Sequence, residues 1–461
     1  MSPDLLPETP ETRPATRPGD RRAPRRDLYA AGAAVLLFAV AAVVGTVVEH
    51  RDATLHVKWP PLLASWHPHA GPGTPAALLV AVAVVAYGPV LAARLPWRRL
   101  LAAVWGAALA WTWSLALADG WQRGVAGRLT TRHEYLRAVD RFQDIPATLR
   151  DFTGHILLGT PDHWPAHVAG HPPAATLTFV FLDRAGLGGG AWAAAWCITL
   201  GTTAAAAVLV AVRALASERH ARRAAPFLVL MPGAVWLGAS ADAYFAAVAA
   251  WALAFLALAV TGHRPRSAGL AAGLLAGLAV YLSYGLTLLV VIGAAVLWLG
   301  AARLRALPFV LAGCAVVPLV FTAFGFSWWD AYDLLVTRYY QGVGGERPQV
   351  YWVWANLACL VAVVGVATVA GLRRAGGLLV LRGRVREHAS DARLAVLVLA
   401  ALAALLVADL SGMSKAETER IWLPFALWLL PATAFLTGAR GWLAAQALTA
   451  LLVNHLLLTG W

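Results

Sequence analysis

The sequence predicts an all-α fold, a polytopic bundle of about 13 transmembrane helices with further amphipathic and juxtamembrane helices on the outer surface. Three observations carry that prediction. Hydrophobic residues make up 60% of the 461 positions and charged ones only 13%, with a mean hydropathy of +0.65, a composition no ordinary soluble globule has. Apolar segments of about 20 residues, the length that crosses a bilayer core, recur along the chain. Between them arginines gather in short runs, as on the cytoplasmic side of membrane proteins. That placement turns the net charge of +13 into a topology signal, so nucleic acid is not an expected partner. Cys197, Cys314 and Cys359 fall inside apolar runs without paired spacing, which suggests neither a disulfide framework nor a zinc site.

Taken in order, residues 1–27, rich in Pro, Thr and Arg, read as a disordered cytoplasmic tail. The apolar run after them is too long for a signal peptide and reads as a retained helix. Spans are expected at 28–48, 75–95, 99–118, 190–212, 225–238, 244–262, 268–283, 286–300, 307–325, 349–371, 394–410, 421–437 and 441–458. Arg25 and Arg26 set the start of the first span inside, and the runs at 96–99, 213–223, 263–266, 301–305 and 373–393 should share that side. The apolar run 174–186 decides whether they can. If it crossed, every run from Arg213 onward would lie outside; if it rests in the interface, all of them stay inside. It is therefore expected not to cross.

This gives a multi-pass protein of the plasma membrane with its N-terminus cytoplasmic. Its parts are the tail 1–27, an N-terminal helix pair at 28–98, a core at 99–325 with a large outer loop at 119–189, and C-terminal helices at 326–461 with outer loops at 326–348 and 411–420. Membrane lipids are the solvent of all but the loops.

Polar chemistry gathers on the outer side. In "RLTTRHEYLRAVDRFQDIPATLRDF", residues 128–152, Tyr135, Leu136, Val139 and Phe142 share one helical face, as in an amphipathic helix resting on the membrane. Glu134 stands soon after the third span. A partly desolvated carboxylate there can act as general base toward a sugar hydroxyl; the alternative is a solvated acid paired with Arg137 or Arg141. His163, His167 and His171 recur every four residues, a spacing that stacks imidazoles along a helix and suits a metal. Pro165 interrupts that helix, and the other reading is imidazoles that bond backbone or substrate. Pro172 and Pro173 fix His171 at the corner where the loop turns into 174–186.

"GASADAYF" places Asp242 at the outer tip of two spans, as a functional acid or a helix cap. "SKAETERIW" reads as a capping box of Ser414 with Glu417, and it offers Lys415 and Arg420 as phosphate ligands beside an apolar groove. Arg338 and Tyr339, with Tyr340, supply donors and rings on which sugars stack, or else form an interfacial aromatic belt.

An acidic residue in the first large outer loop ("HEYL"), a "HPP" corner leading to an apolar segment, an arginine-rich inner turn and a helix pair tipped by "SADA" together resemble the GT-C superfamily of polytopic glycosyltransferases. The resemblance covers roughly 100–262, with "KAETERIWLPF" as a weaker C-terminal echo. It implies sugar transfer on the outer face from a polyprenyl-phosphate-linked sugar to a cell-envelope glycan or lipid, as in bacterial mannosyl- and arabinosyltransferases. The transferred group would be a hexosyl or pentosyl unit. The catalytic acid of the superfamily often belongs to an acidic pair; here His133 precedes Glu134, and Asp140, Asp144 and Asp151 are the other candidates. Glu134 would deprotonate the acceptor, Arg420, Lys415 or Arg338 would stabilise the leaving phosphate, and His167, His171, Asp242 and Tyr339 would line the pocket. No protein ligand set for a metal follows, although a divalent cation is compatible with the chemistry. Two other classes stay open: a transporter or flippase of a lipid-linked or small solute, and a non-catalytic membrane subunit.

Overall fold

The computed structural model describes residues 23–380 and 389–460. Residues 1–22 of the expected tail, and 381–388 within the last arginine run, lie outside the described residues. The helices are α1 (Ala23–Asp52), α2 (Thr74–Arg94), α3 (Trp97–Ala118), α4 (Ile145–Asp151), α5 (Ala166–Ala169), α6 (Ala174–Arg184) and α7 (Gly190–Gly201). They continue as α8 (Thr203–Leu215), α9 (Glu218–Val229), α10 (Ala234–Leu237), α11 (Ala241–Val260), α12 (Pro265–Leu282), α13 (Leu289–Leu299) and α14 (Arg303–Ala323). The last seven are α15 (Trp328–Gln341), α16 (Val343–Glu346), α17 (Gln349–Val380), α18 (Ala389–Leu410), α19 (Thr418–Ile421), α20 (Leu423–Ala426) and α21 (Ala439–Leu456). Two short strands, β1 (Ala64–Trp66) and β2 (Leu457–Thr459), pair antiparallel.

The fold is an all-α bundle. Among the described residues, nine stretches are long and apolar enough to cross a membrane: α1, α2, α3, α7 with α8, α11, α12, α14, α17 and α18. Two further apolar helical stretches, Tyr284–Leu299 and Leu423–Phe435, are shorter. α6 is too short to cross: its 11 residues reach about 16 Å, roughly half the hydrocarbon thickness.

One end collects the arginines. There, Arg222 donates to Ala92 O and Leu95 O at 2.7 and 2.9 Å, Arg374 to Phe435 O at 2.6 Å, and Arg393 to Leu299 O at 2.7 Å and to Leu215 O. Each of these carbonyls ends or follows a helical stretch and has no partner within it, so the guanidinium supplies the missing donor. The runs read as topology signals thus also fasten helix ends together. The first helix starts earlier than expected, at Ala23, because buried Asp27 is clasped by Arg373 and Arg374.

Two expected spans are broken. In 225–238, α9 stops at Val229, Pro232 and Gly233 turn the chain, and α10 adds one turn. In 421–437, α19 and α20 give way to a 3-10 stretch over Leu430–Phe435. Both are walled in by neighbouring helices rather than facing lipid, the setting in which a membrane protein tolerates irregular backbone. A third break makes this possible. At Gly365, φ is +75°, and α17 loses its helical path. Val363 O then accepts the buried Gly233 N–H at 2.8 Å, and Val364 O accepts Gln446 Nε2 from α21 at 2.8 Å.

The opposite end carries the loops. The segment expected as an amphipathic helix over 128–152 is instead two 3-10 stretches, Arg128–Thr130 and Tyr135–Arg141, followed by α4. Its apolar residues turn into the protein: Tyr135 and Phe142 are about 1% exposed. Pro146 at the start of α4 and the Asp144 cap on Ala147 N set the corner between the pieces.

Candidate functional site

Glu134 sits at the N-terminus of the 3-10 stretch Tyr135–Arg141, and its carboxylate makes no cap on that stretch. The side chain is therefore free to turn elsewhere. A backbone bond from His167 N–H to His133 O, 2.9 Å, lays the "HVAGHPP" corner beside it. His167 Nδ1 then stands 3.1 Å from Glu134 Oε2. Across the same site, Arg420 from α19 pairs with Asp242 Oδ2 at 2.6 Å and approaches His167 Nε2 at 3.4 Å. Glu134, His167, Asp242 and Arg420 are all less than a tenth exposed. Residues from four separate stretches thus form one buried chain, Glu134 to His167 to Arg420 to Asp242.

The local sequence explains each placement. Asp242 is not the cap of α11; Ser240 is, accepting from Asp242 N at 3.2 Å while its hydroxyl also donates to Asp242 Oδ2 at 3.3 Å. That leaves the Asp242 carboxylate turned toward Arg420. Nor does the Ser414–Glu417 capping box form. Glu417 adopts φ +61° directly before α19, and its carboxylate lies 3.6 Å from both Arg347 and Arg420. Burial weakens a guanidinium's hold on its proton, but Asp242, Glu417 and Glu134 outweigh it, so Arg420 is raised above its usual range and stays charged.

His171 donates from Nδ1 to His167 O at 2.8 Å, and burial lowers it to about 4, so it is neutral at pH 7. Tyr135 packs between His171, Phe179 and Phe245, with ring centroids 5.5 to 6.4 Å apart, and forms an apolar floor. His163 is exposed, because Pro165 ends the spacing and α5 is one turn long. The three histidines do not stack. Among the described residues, no group of three or more His, Cys, Asp or Glu side chains has the geometry to hold a metal.

A small, partly open cleft leads to the buried chain, lined by Glu134, Arg420, Ser240 and Thr131 together with Arg128 and Gly460. Arg128 is the residue that sequence reasoning missed. It donates to Asp119 Oδ2 at 3.0 Å and to Thr459 O at 3.3 Å, and burial lowers it to about 10. Its only sequence signal was its place in the stretch that also carries Glu134.

The remaining candidates lie outside this constellation. Lys415 donates from Nζ to Gly344 O at 3.0 Å, and its backbone N–H to the Tyr339 hydroxyl at 3.2 Å, so both tie loop 411–420 to α15 and α16. Arg338 donates to Trp164 O at 3.4 Å and stands by the aromatic stack of Phe142, Phe152 and Trp164. Asp140 is exposed, Asp144 caps α4, and Asp151 pairs with His155 at 2.9 Å.

No family model and no curated protein matches this sequence. Among solved structures, the chain is similar to an Archaeoglobus fulgidus oligosaccharyltransferase crystallised with zinc and sulfate, at 17% identity and a TM-score of 0.47. The match covers 76% of this chain and 51% of that one, so the chain spans about half the length of that protein.

Proposed function

We propose that the protein is a membrane glycosyltransferase of the GT-C kind that moves a sugar from a polyprenyl-phosphate carrier to a cell-envelope glycan or lipid on the outer face. One observation carries the reading: the Glu134 carboxylate meets a cleft that also holds two arginines, the partly buried Arg128 and the buried Arg420. A base beside fixed cations suits a displacement in which a hydroxyl loses a proton and a phosphate leaves.

In the proposed step, the acceptor oxygen attacks the anomeric carbon as its proton passes to Glu134. The carbon–oxygen bond to the carrier breaks, and its electron pair stays on the phosphate. Negative charge grows there, so Arg128 and Arg420 favour the transition state over the bound donor. Asp242 serves as counter-ion to Arg420, and His167 orients Glu134; neither takes the proton. Lys415 and Tyr339 support the loop that presents Arg420, and Arg338 supports the wall at Trp164.

A transporter needs polar groups opened at mid-membrane. The three helix breaks provide candidates, but Gly233 N–H, Val363 O, Val364 O and Gln446 Nε2 are spent on one another. The test is transfer in membranes with a polyprenyl-phosphate sugar as donor. Glu134→Gln should lose at least about 100-fold in rate while folding normally. Undiminished transfer would sink the assignment of Glu134, and accumulated lipid-linked sugar in a deletion strain would name the donor.

A further inference from the structure

The arginines at the end away from the cleft do different work. Some cap helix ends, as described for Arg222, Arg374 and Arg393. Others bind helix ends weakly or not at all. Arg264 and Arg266 lie in the turn before and at the start of α12, and Arg303 and Arg305 begin α14; all four are exposed. Among the described residues none of the four makes an ion pair, and Arg303 reaches only Trp298 O, at 3.5 Å.

The packing brings these two turns together and holds them there. Ala302 N–H donates to Val260 O at 2.7 Å, which joins the turn before α14 to the end of α11. α12 and α14 then run side by side in the same direction. A Cβ on Gly273 would stand 2.1 Å from Val310 O, and one on Gly313 2.4 Å from Leu270 O, so the backbones touch. Both helices therefore begin at one corner, and their positive dipole ends add to the side-chain charge. Arg264 itself is held at φ +51°, an uncommon conformation for a residue with a side chain. Beside the four guanidinium groups, Leu304 is 78% exposed and Trp298 67%. Cations at headgroup depth next to bare apolar side chains match an anionic phospholipid, whose phosphate and acyl chains leave the protein in those two directions.

We propose that this corner is a binding site for an anionic phospholipid, with Arg264, Arg266, Arg303 and Arg305 on the headgroup and Trp298 and Leu304 against the chains. The site is independent of the Glu134 cleft, and either can fail alone. Thermal unfolding in detergent with dioleoylphosphatidylglycerol or dioleoylphosphatidylcholine added, at low and high salt, reads it out. Phosphatidylglycerol should raise Tm and phosphatidylcholine should not, and salt should erase the difference. The R264Q/R266Q/R303Q/R305Q variant should lose the shift, with apparent affinity down at least about 10-fold, while R98Q/R99Q keeps it. Equal shifts with both lipids, a shift reproduced by inorganic phosphate, or a shift retained by the fourfold variant would overturn the proposal. Photo-crosslinking of the unaltered protein in nanodiscs with a phosphatidylglycerol bearing a reactive acyl chain gives a second reading. Label should appear at Trp298–Arg305, and label only elsewhere would overturn it.

Discussion

Glu134 and Asp242 are both buried carboxylates at the same site, yet they carry different loads. Asp242 holds the Arg420 guanidinium at 2.6 Å, whereas Glu134 faces the cleft beside an imidazole. Removing Asp242 takes the nearest counter-ion from a buried cation, so Asp242→Ala should cost about 3 kcal/mol of stability as well as activity. Glu134→Gln should cost activity with little change in unfolding midpoint, and the two variants compared by thermal unfolding separate counter-ion from base. Arg128→Gln should slow transfer and leave acceptor binding intact, measured as a fall in kcat with acceptor KM unchanged.

Glu419, next to Arg420, gives a pH signature. It is fully buried, accepts Leu63 N–H at 2.9 Å on one oxygen, and burial raises its carboxyl to about 7. An unfolded glutamate titrates near 4.3. Between those values the folded protein keeps a proton that the unfolded chain releases. Stability should therefore fall as pH rises from about 4 to 7, by on the order of 3 kcal/mol, and level off above. Glu419→Gln should flatten that slope, seen as a gain over the parent at pH 8 that shrinks away toward pH 4. His171 acts in the opposite sense: lowered to about 4 by burial, it withdraws stability as pH falls through the range below 6.5.

At the scale of elements, the positive charges and the length of 174–186 made most of the topology legible, because both depend on local composition. α6 is too short to cross, and the arginine runs share one end as the alternation required. The breaks were not legible. Pro232 and Gly233 look like an ordinary interruption of an apolar run, and only the carbonyls freed at Gly365 make that interruption stable. Gly365 is the position to test. A Cβ there would lie 1.7 Å from Gln446 Oε1, on a backbone with φ +75°. Gly365→Ala should destabilise by more than about 1 kcal/mol, measured by unfolding in detergent, and Gln446→Ala in the same chain should recover part of the loss. The site was legible in kind and not in membership. Glu134, His167, His171, Asp242 and Arg420 come together as residue type and outer-side placement suggested. Lys415 and Tyr339 went elsewhere because a backbone carbonyl at Gly344 and the start of loop 411–420 claimed them, which no spacing reveals.

At the scale of the whole molecule, the cleft is closed by two segments far apart in sequence. β1 and β2 pair Ala64 with Thr459 and Trp66 with Leu457; Thr459 O receives Arg128, and Gly460 donates to Leu63 O at 3.0 Å while lining the cleft. β1 and β2 meet only when the helices between them are in place, because a pairing of such high sequence separation cannot close before the intervening chain is compact. The cleft is therefore a late contact in folding and a sensitive one: any slip in the packing of α2 against α21 pulls the strands apart and carries Gly460 and the Thr459 carbonyl that holds Arg128 away from Glu134.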